Sequence, residues 1–341
     1  MSVLSLARAI ETGDLAQLPS RRDEDWHWTD LRGLIRQLPA PSAPIAGELP
    51  AGPFDALADR SLVIANGRGA AESAGEGVTA LRFVGRGDGA HAADHEIAVP
   101  AGASLVLLES YEGEGGHIAE FDLAIRLDEG ARLERIVLAD ADAAAVLVSR
   151  AAVVLAPGAQ FSQTVIASGA RRQRIETQVR HPGGGASVRL DGVYVLADQR
   201  HADITTVVTH EGMDGVTDQL TKGVVRDQAR GVFQGRIVVR PGADKTDARM
   251  GHHALILSER AEVDAKPELE IFADDVACAH GNTVGALDEE ALFYAEQRGI
   301  PEPEARAMLT EAFLGEVIDR IEHEGARDVA RAWVVERLRG L

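Results

Sequence analysis

The sequence predicts a mainly β chain whose short strands wind into a solenoid, with a helical region at each end. Three observations carry that prediction: a corner turn that returns at intervals of 27 or 28 residues, short β-type runs between the corners, and helical periodicity confined to the two termini.

The corner has the form apolar-x-x-Gly-Ala-x-apolar. It stands as Val99-Pro-Ala-Gly-Ala-Ser-Leu105, Leu127-Asp-Glu-Gly-Ala-Arg-Leu133 and Leu155-Ala-Pro-Gly-Ala-Gln-Phe161, with looser copies at Gly185-Ala186 and Gly242-Ala243. The glycines fall at 102, 130, 158, 185 and 242, so the intervals are 28, 28, 27 and 57, the last about twice the others. One Gly-Ala pair carries no information among 35 glycines. Five in register are better explained by stacked supersecondary units. The flanking runs include Ser104–Leu108, Glu120–Leu127, Val146–Leu155, Ser187–Leu196 and Gly235–Arg240. Glycine supplies the φ > 0 backbone that a sharp corner needs. A β-sandwich, the alternative, would turn every ~8–12 residues without this longer period.

The first 60 residues read as helical and then as linker. Ser2 to Gln17 carries Val3, Leu6, Ala7, Ile10 and Leu15 near helical spacing, interrupted by Gly13. Arg21 to Leu38 is a second candidate, with Trp26, Leu31, Leu34, Ile35 and Leu38 on its apolar side. Pro39, Pro41, Pro44, Pro50 and Pro53 then exclude a persistent helix or sheet. The β texture fills 61–281. In the C-terminal region, 282–341, Asp288 can cap a helix through Arg298, closed by Gly299 and Pro301. A second helix is expected from Glu302–Pro303 to about Glu324 and a third from Ala326 to Arg339. Helices at the end of a solenoid either cap its open edge or present a face to a partner.

Bulk composition narrows the function. The 341 residues carry 54 acidic and 35 basic side chains, a net charge of −19. That argues against nucleic acid, whose phosphates need Lys/Arg clusters, and leaves room for a basic partner. No run approaches the ~20 apolar residues of a membrane span. The first residues lack a basic start, an apolar stretch and a cleavage site, so the expectation is an unprocessed cytoplasmic chain. Three Trp, three Tyr and eight Phe offer few stacking faces for sugars. A β-helical carbohydrate-active enzyme therefore stands only as an alternative. There is no Gly-x-x-x-x-Gly-Lys-Ser/Thr, no dinucleotide fingerprint in context and no Gly-x-Ser-x-Gly elbow. The expectation is no nucleotide site and no self-contained catalytic set, hence no enzyme.

The one cysteine is Cys278. It excludes an internal disulfide and a multi-cysteine zinc site. If its surroundings are extended, Cys278 and His280 lie on one face with Cα atoms about 7 Å apart. They form a plausible pair of soft or borderline metal ligands. An iron–sulfur cluster needs about four ligands, mostly thiolates, so one thiol implies a cluster shared with another subunit or held transiently. The competing view is an inert structural cysteine in a pure adaptor. His252 and His253 are adjacent and point to opposite faces of a strand, which suits structural roles. His91 and His95 lack the helix that would align them.

The segment Lys266-Pro-Glu-Leu-Glu-Ile-Phe-Ala-Asp-Asp-Val-Ala-Cys-Ala-His-Gly-Asn-Thr-Val-Gly285, with Leu287-Asp-Glu-Glu-Ala-Leu-Phe-Tyr294 and Gln297-Arg-Gly-Ile300, strongly resembles the SufB/SufD family. Its Asp-Asp-Val-x-Cys-x-His-Gly form resembles SufD-type members. Arg22-Asp-Glu-Asp-Trp-His-Trp-Thr-Asp-Leu31 is similar to the family's Glu-x-Trp-x-x-Thr-x-Leu signature. The resemblance implies a right-handed parallel β-helix flanked by helical regions. It implies a non-ATPase scaffold that pairs with a SufB-type paralogue and binds a SufC-type ATPase through its C-terminal helices. Cys278 and His280 would then be candidate ligands of a transient iron–sulfur cluster shared with the SufB-type partner. The stretch from His252 to Val263 has no cysteine, which fits SufD and not SufB. A homodimer in isolation is also compatible, through a self-complementary edge.

Overall fold

A computed structural model of the chain describes residues 4–69 and 75–339. Its strands are β1 (Arg60–Ala65), β2 (Gly77–Arg86), β3 (Ala90–Val99), β4 (Ser104–Glu114), β5 (Ile118–Leu127), β6 (Arg132–Asp140), β7 (Val146–Leu155) and β8 (Gln160–Ala167). They continue as β9 (Arg172–His181), β10 (Ser187–Leu196), β11 (His201–His210), β12 (Val216–Val225), β13 (Arg230–Val239), β14 (Asp247–Ile256), β15 (Glu262–Ile271) and β16 (Ala277–Gly285). β1 and the even-numbered strands form one nine-stranded sheet, and β3 to β15 the facing seven-stranded sheet. Every pairing is parallel, as Leu105↔Leu133↔Phe161 shows across β4, β6 and β8. The chain thus coils between two sheets, a β-solenoid as the repeat predicts.

Alternate side chains fill the space between the sheets. Leu105, Leu107, Leu133, Val137, Phe161 and Val165 meet Phe121, Leu123, Ile125, Val153, Ile175 and Ile204 in one buried cluster. Parallel sheets need cover on both faces. Helices α4 (Glu302–Ile318) and α5 (Glu324–Leu338) supply it for the nine-stranded sheet, packing Leu314, Val317, Ile318 and Val334 on Leu108, Ile136, Ile166 and Val193.

The corners explain the glycine rhythm. Gly102, Gly130, Gly158 and Gly185 adopt φ of 69°, 65°, 71° and 78°, each two residues before an even strand. The doubled interval hides a corner between β11 and β12, where Asp214 at φ 60° stands in the glycine position. Aspartate tolerates this region better than most residues. Gly242-Ala243 makes the same turn, but Asp244, Lys245 and Thr246 lengthen it before β14.

The N-terminal expectation needs correction. Helix α1 (Leu6–Thr12) ends where Gly13 takes the left-handed conformation, and Ser2 and Val3 lie outside the described residues. Arg21 to Leu38 is not one helix. It holds a 3-10 turn at Glu24–Trp26 and a single turn α2 (Leu31–Leu34). Tertiary partners take the backbone carbonyls a helix would use: Asp25 O accepts from Arg174 and Gln234, and Trp28 O bonds His201. This segment is a strap on the outer face of the seven-stranded sheet.

At the other end, α3 (Glu289–Gln297) is capped by the Asp288 carboxylate, as expected. The second helix stops six residues early, because Glu134 accepts the N–H groups of Glu322 and His323. α4 and α5 lie along the sheet and leave the last coil uncapped.

Candidate functional site at the open end of the solenoid

Among the described residues, β15 and β16 end their sheets, each with a strand neighbour on one side only. The sequence places them there because the corner at Asp274-Asp275 is the last before the chain turns to helix. β16 is exposed along most of its length and carries two glycines, Gly281 and Gly285. Its register on β14 pairs Cys278 with Ala248, His280 with Met250, Asn282 with His252 and Thr283 with His253. Ala248 and Met250 are buried in the terminal core cluster with Phe233 and Ile237. Cys278 and His280 therefore continue two inward-facing rows to the uncovered edge.

Their environments differ. Cys278 is half-buried against that terminal cluster, while His280 is exposed. Burial pushes the Cys278 thiol up, and the Asp247 carboxylate adds to this against the Ala248 N–H. The isolated chain thus holds a protonated thiol at neutral pH, a weak ligand until a cation or positive group approaches. Among the described residues, no three His, Cys, Asp or Glu side chains gather closely enough to hold a metal ion. Cys278 and His280 supply two donors, so a cluster there would need the rest from outside this chain. Asp274 and Asp275 sit in the corner, where the Asp275 carbonyl accepts the Lys245 N–H.

The two adjacent histidines of β14 each reach β16. His252 Nδ1 lies 2.7 Å from Asn282 Oδ1 inside the solenoid, and His253 Nδ1 lies 2.7 Å from Thr283 Oγ1 outside it. Burial holds His252 down to about 4, so its ring is neutral at pH 7. Donating through Nδ1 to Asn282 leaves Nε2 to accept the Tyr194 hydroxyl at 3.0 Å. Phe233 stacks on the ring at 4.8 Å. The sequence places Cys278 and His280 on one face, but it gives residues from 282 onward to the helical region, so neither Asn282 as a residue of β16 (Ala277–Gly285) nor the histidine opposite it was legible.

His91 and His95 do lie on one strand, β3, both buried, with His91 2.9 Å from Ser42 Oγ. Neither approaches the open end.

On the opposite flank, three residues (286–288) join β16 to α3. α3 packs on α4 and exposes Phe293 and Tyr294, each 61% accessible; α4 exposes Met308 at 51%.

Residues 83–313 match the family described as SUF system FeS cluster assembly, SufBD core domain. The chain is 32% identical over 250 residues to the iron-sulfur cluster assembly protein SufD of Escherichia coli, covering 72% of this chain and 59% of that protein. It is 33% identical over 153 residues to an iron-sulfur cluster assembly SufBD family protein of Synechocystis, covering 45% and 34%. It is 35% identical over 135 residues to SufD of Bacillus subtilis, covering 40% and 31%. The chain thus spans less than two thirds of the length of these relatives.

Proposed function

Because the chain belongs to the SufB/SufD family, as a SufD-type member, we propose that it is a non-ATPase scaffold of iron–sulfur cluster assembly. The observation that carries this reading is the position of Cys278 and His280. They face inward on an unpaired edge strand, where a second solenoid can extend the sheets and bring further ligands. The natural occupant of that edge is a SufB-type paralogue, and a second copy of this chain can compete for it. Iron and sulfide are cargo here, held for a time by donors from both subunits.

The outward apolar residues of α3 and the start of α4 form the docking face for a SufC-type ATPase. Closure of the ATPase would then act on α3 and, through residues 286–288, on β16 itself. α4 resists that motion at its C-terminal half, where Leu314, Val317 and Ile318 are packed on the sheet and Glu316 pairs with Lys222. This mechanism narrows the moving part to α3, the linker and the edge strand.

Co-expression with a SufB-type subunit and a SufC-type ATPase tests the reading, with iron and sulfide measured on the purified complex. Cys278→Ala and His280→Ala should lower the bound iron and sulfide while the complex still forms. Full cluster content in the double variant would remove these residues from the assignment.

A further inference from the structure

β16 is held to the solenoid by little apolar contact. Of its residues, Cys278 packs against a core cluster, and Gly281 and Gly285 have open space where a side chain would stand. Glycine within a strand weakens it, since nothing packs and more backbone freedom must be lost. Yet this strand carries the candidate ligands and leads within three residues into α3. Something must hold its C-terminal half in register.

We infer that His252 and His253 are positioning residues, two pins that hold the edge strand from opposite faces and thereby set where His280 stands. Adjacent residues of a strand point to opposite faces, so one dipeptide reaches both sides of β16. The inner pin is backed in depth. Tyr194 holds His252 through its hydroxyl, and the ring of Tyr194 is itself seated where Gly223 and Gly231 lack side chains, its atoms within 1.8 Å and 2.6 Å of where Cβ atoms would lie. The outer pin sits beside the Lys222–Glu316 pair, and so beside α4. Asn282 is two residues from His280 on the same face, so a slip at Asn282 displaces His280 with it.

The consequence for cluster assembly rests on the reading given above, whereas the pins themselves can be read on the isolated chain. Hydrogen–deuterium exchange over 277–285 is the primary measurement. Asn282→Ala and Thr283→Ala remove the acceptors from the exposed strand without opening a core cavity. Each should speed exchange of the β16 amides roughly three- to tenfold, the factor one hydrogen bond sets in a local opening equilibrium, with β2 to β8 unchanged. Tyr194→Phe/His252→Asn keeps a donor at the Nδ1 position without orphaning a hydroxyl, and should restore near wild-type protection where His252→Ala does not. In the reconstituted complex, Asn282→Ala should lower cluster content while the subunits still co-purify.

Unchanged exchange in both acceptor variants would overturn the pins. Faster exchange with full cluster content, under conditions where Cys278→Ala loses the cluster, would overturn the positioning role. If Cys278→Ala and His280→Ala themselves retain the cluster, these residues leave the proposed assignment, and the exchange measurement still decides whether the pins exist.

Discussion

Arg174 and Asp203 form an ion pair sealed beneath the N-terminal strap. Their side chains are 2.7 Å apart and essentially inaccessible. Trp26 covers the guanidinium at 4.3 Å, and the Thr29 hydroxyl donates to the same carboxylate at 2.5 Å. Glu176 also pairs with Arg174, and the Asp25 carbonyl accepts from it. Arg236 and Lys266 extend the attachment to Asp25 and Glu24. One short segment thus ties β9, β11, β13 and β15 together, the coils that lead to the open end.

Breaking that pair should be costly. Removing one partner of a buried ion pair typically costs ~3–5 kcal/mol, because the other charge stays buried. Arg174→Ala leaves both Asp203 and Glu176 uncompensated and should reach that range in urea unfolding. Trp26→Ala should instead loosen the strap alone, seen as faster proteolysis within residues 20–38 and a small global change. Equal urea midpoints for wild type and Arg174→Ala would contradict the account.

Two glycines should respond in opposite directions. A Cβ at Gly223 would lie 1.8 Å from the Tyr194 ring, deep in the solenoid, whereas at Gly281 it meets nothing within 4 Å. Gly223→Ala should cost at least ~1–3 kcal/mol by overpacking. Gly281→Ala should stabilise by about 0.5–1 kcal/mol, since alanine gives up less backbone freedom in a strand. Thermal melts of the two variants against wild type check the pair, and a stable Gly223→Ala protein would mean Tyr194 can leave its seat.

The solenoid and the candidate ligands were legible because both depend on short-range spacing. Corners recur at a fixed interval, and Cys278 and His280 share a face through simple alternation. The corner at Asp214 escaped because aspartate replaced the glycine that served as the marker. The strap escaped for a different reason. Trp26 and Leu31 have apolar spacing that fits a helix, but Asp25 finds its partners at Arg174, 149 residues away, and at Gln234, 209 residues away. No local pattern encodes such a contact, and tertiary hydrogen bonds override helical preference there. A shorter separation, 30 residues, likewise hid the link from His252 to Asn282.

Buried histidines should make the fold sensitive to acid. Burial holds His91, His201 and His252 down to about 4 and His210 to about 3. In an unfolded chain they titrate near ~6.5, so below that pH the unfolded state binds protons first. Their contribution is complete above ~6.5 and is lost progressively as pH falls toward the folded values. Glu120 and Asp191 act in the opposite sense. Burial raises both to about 7, so their contribution is lost as pH rises toward that value. Four histidines against two carboxylates leave a net loss on acidification from pH ~7 to pH ~5. The urea midpoint should fall over that interval, and His210→Gln, which keeps a partner for Thr217, should fall less. A midpoint that rises on acidification would show the carboxylates to dominate.

The apolar face of α3 should be functional and not structural. Phe293 and Tyr294 are exposed on a helix whose buried residue is Leu292, and Met308 is exposed on α4, the helix α3 packs against. Single exposed apolar residues need no explanation, but two adjacent exposed aromatics on a helix that packs on α4 suit an interaction surface. Phe293→Ser/Tyr294→Ser removes exposed aromatic surface and, at Tyr294, one surface contact with Arg298, so thermal stability should change by no more than ~1 kcal/mol. If the face docks the ATPase, loss of two aromatic anchors should weaken binding by ~2 kcal/mol or more, about 30-fold in Kd. Titration of the purified ATPase onto wild type and variant separates the outcomes. Unchanged affinity would move the docking site off α3, and with it the direct line of force through residues 286–288 to β16. A weakened interaction at unchanged stability would place the load on the helix nearest the edge strand, where small displacements reach Cys278 and His280 with the fewest intervening residues.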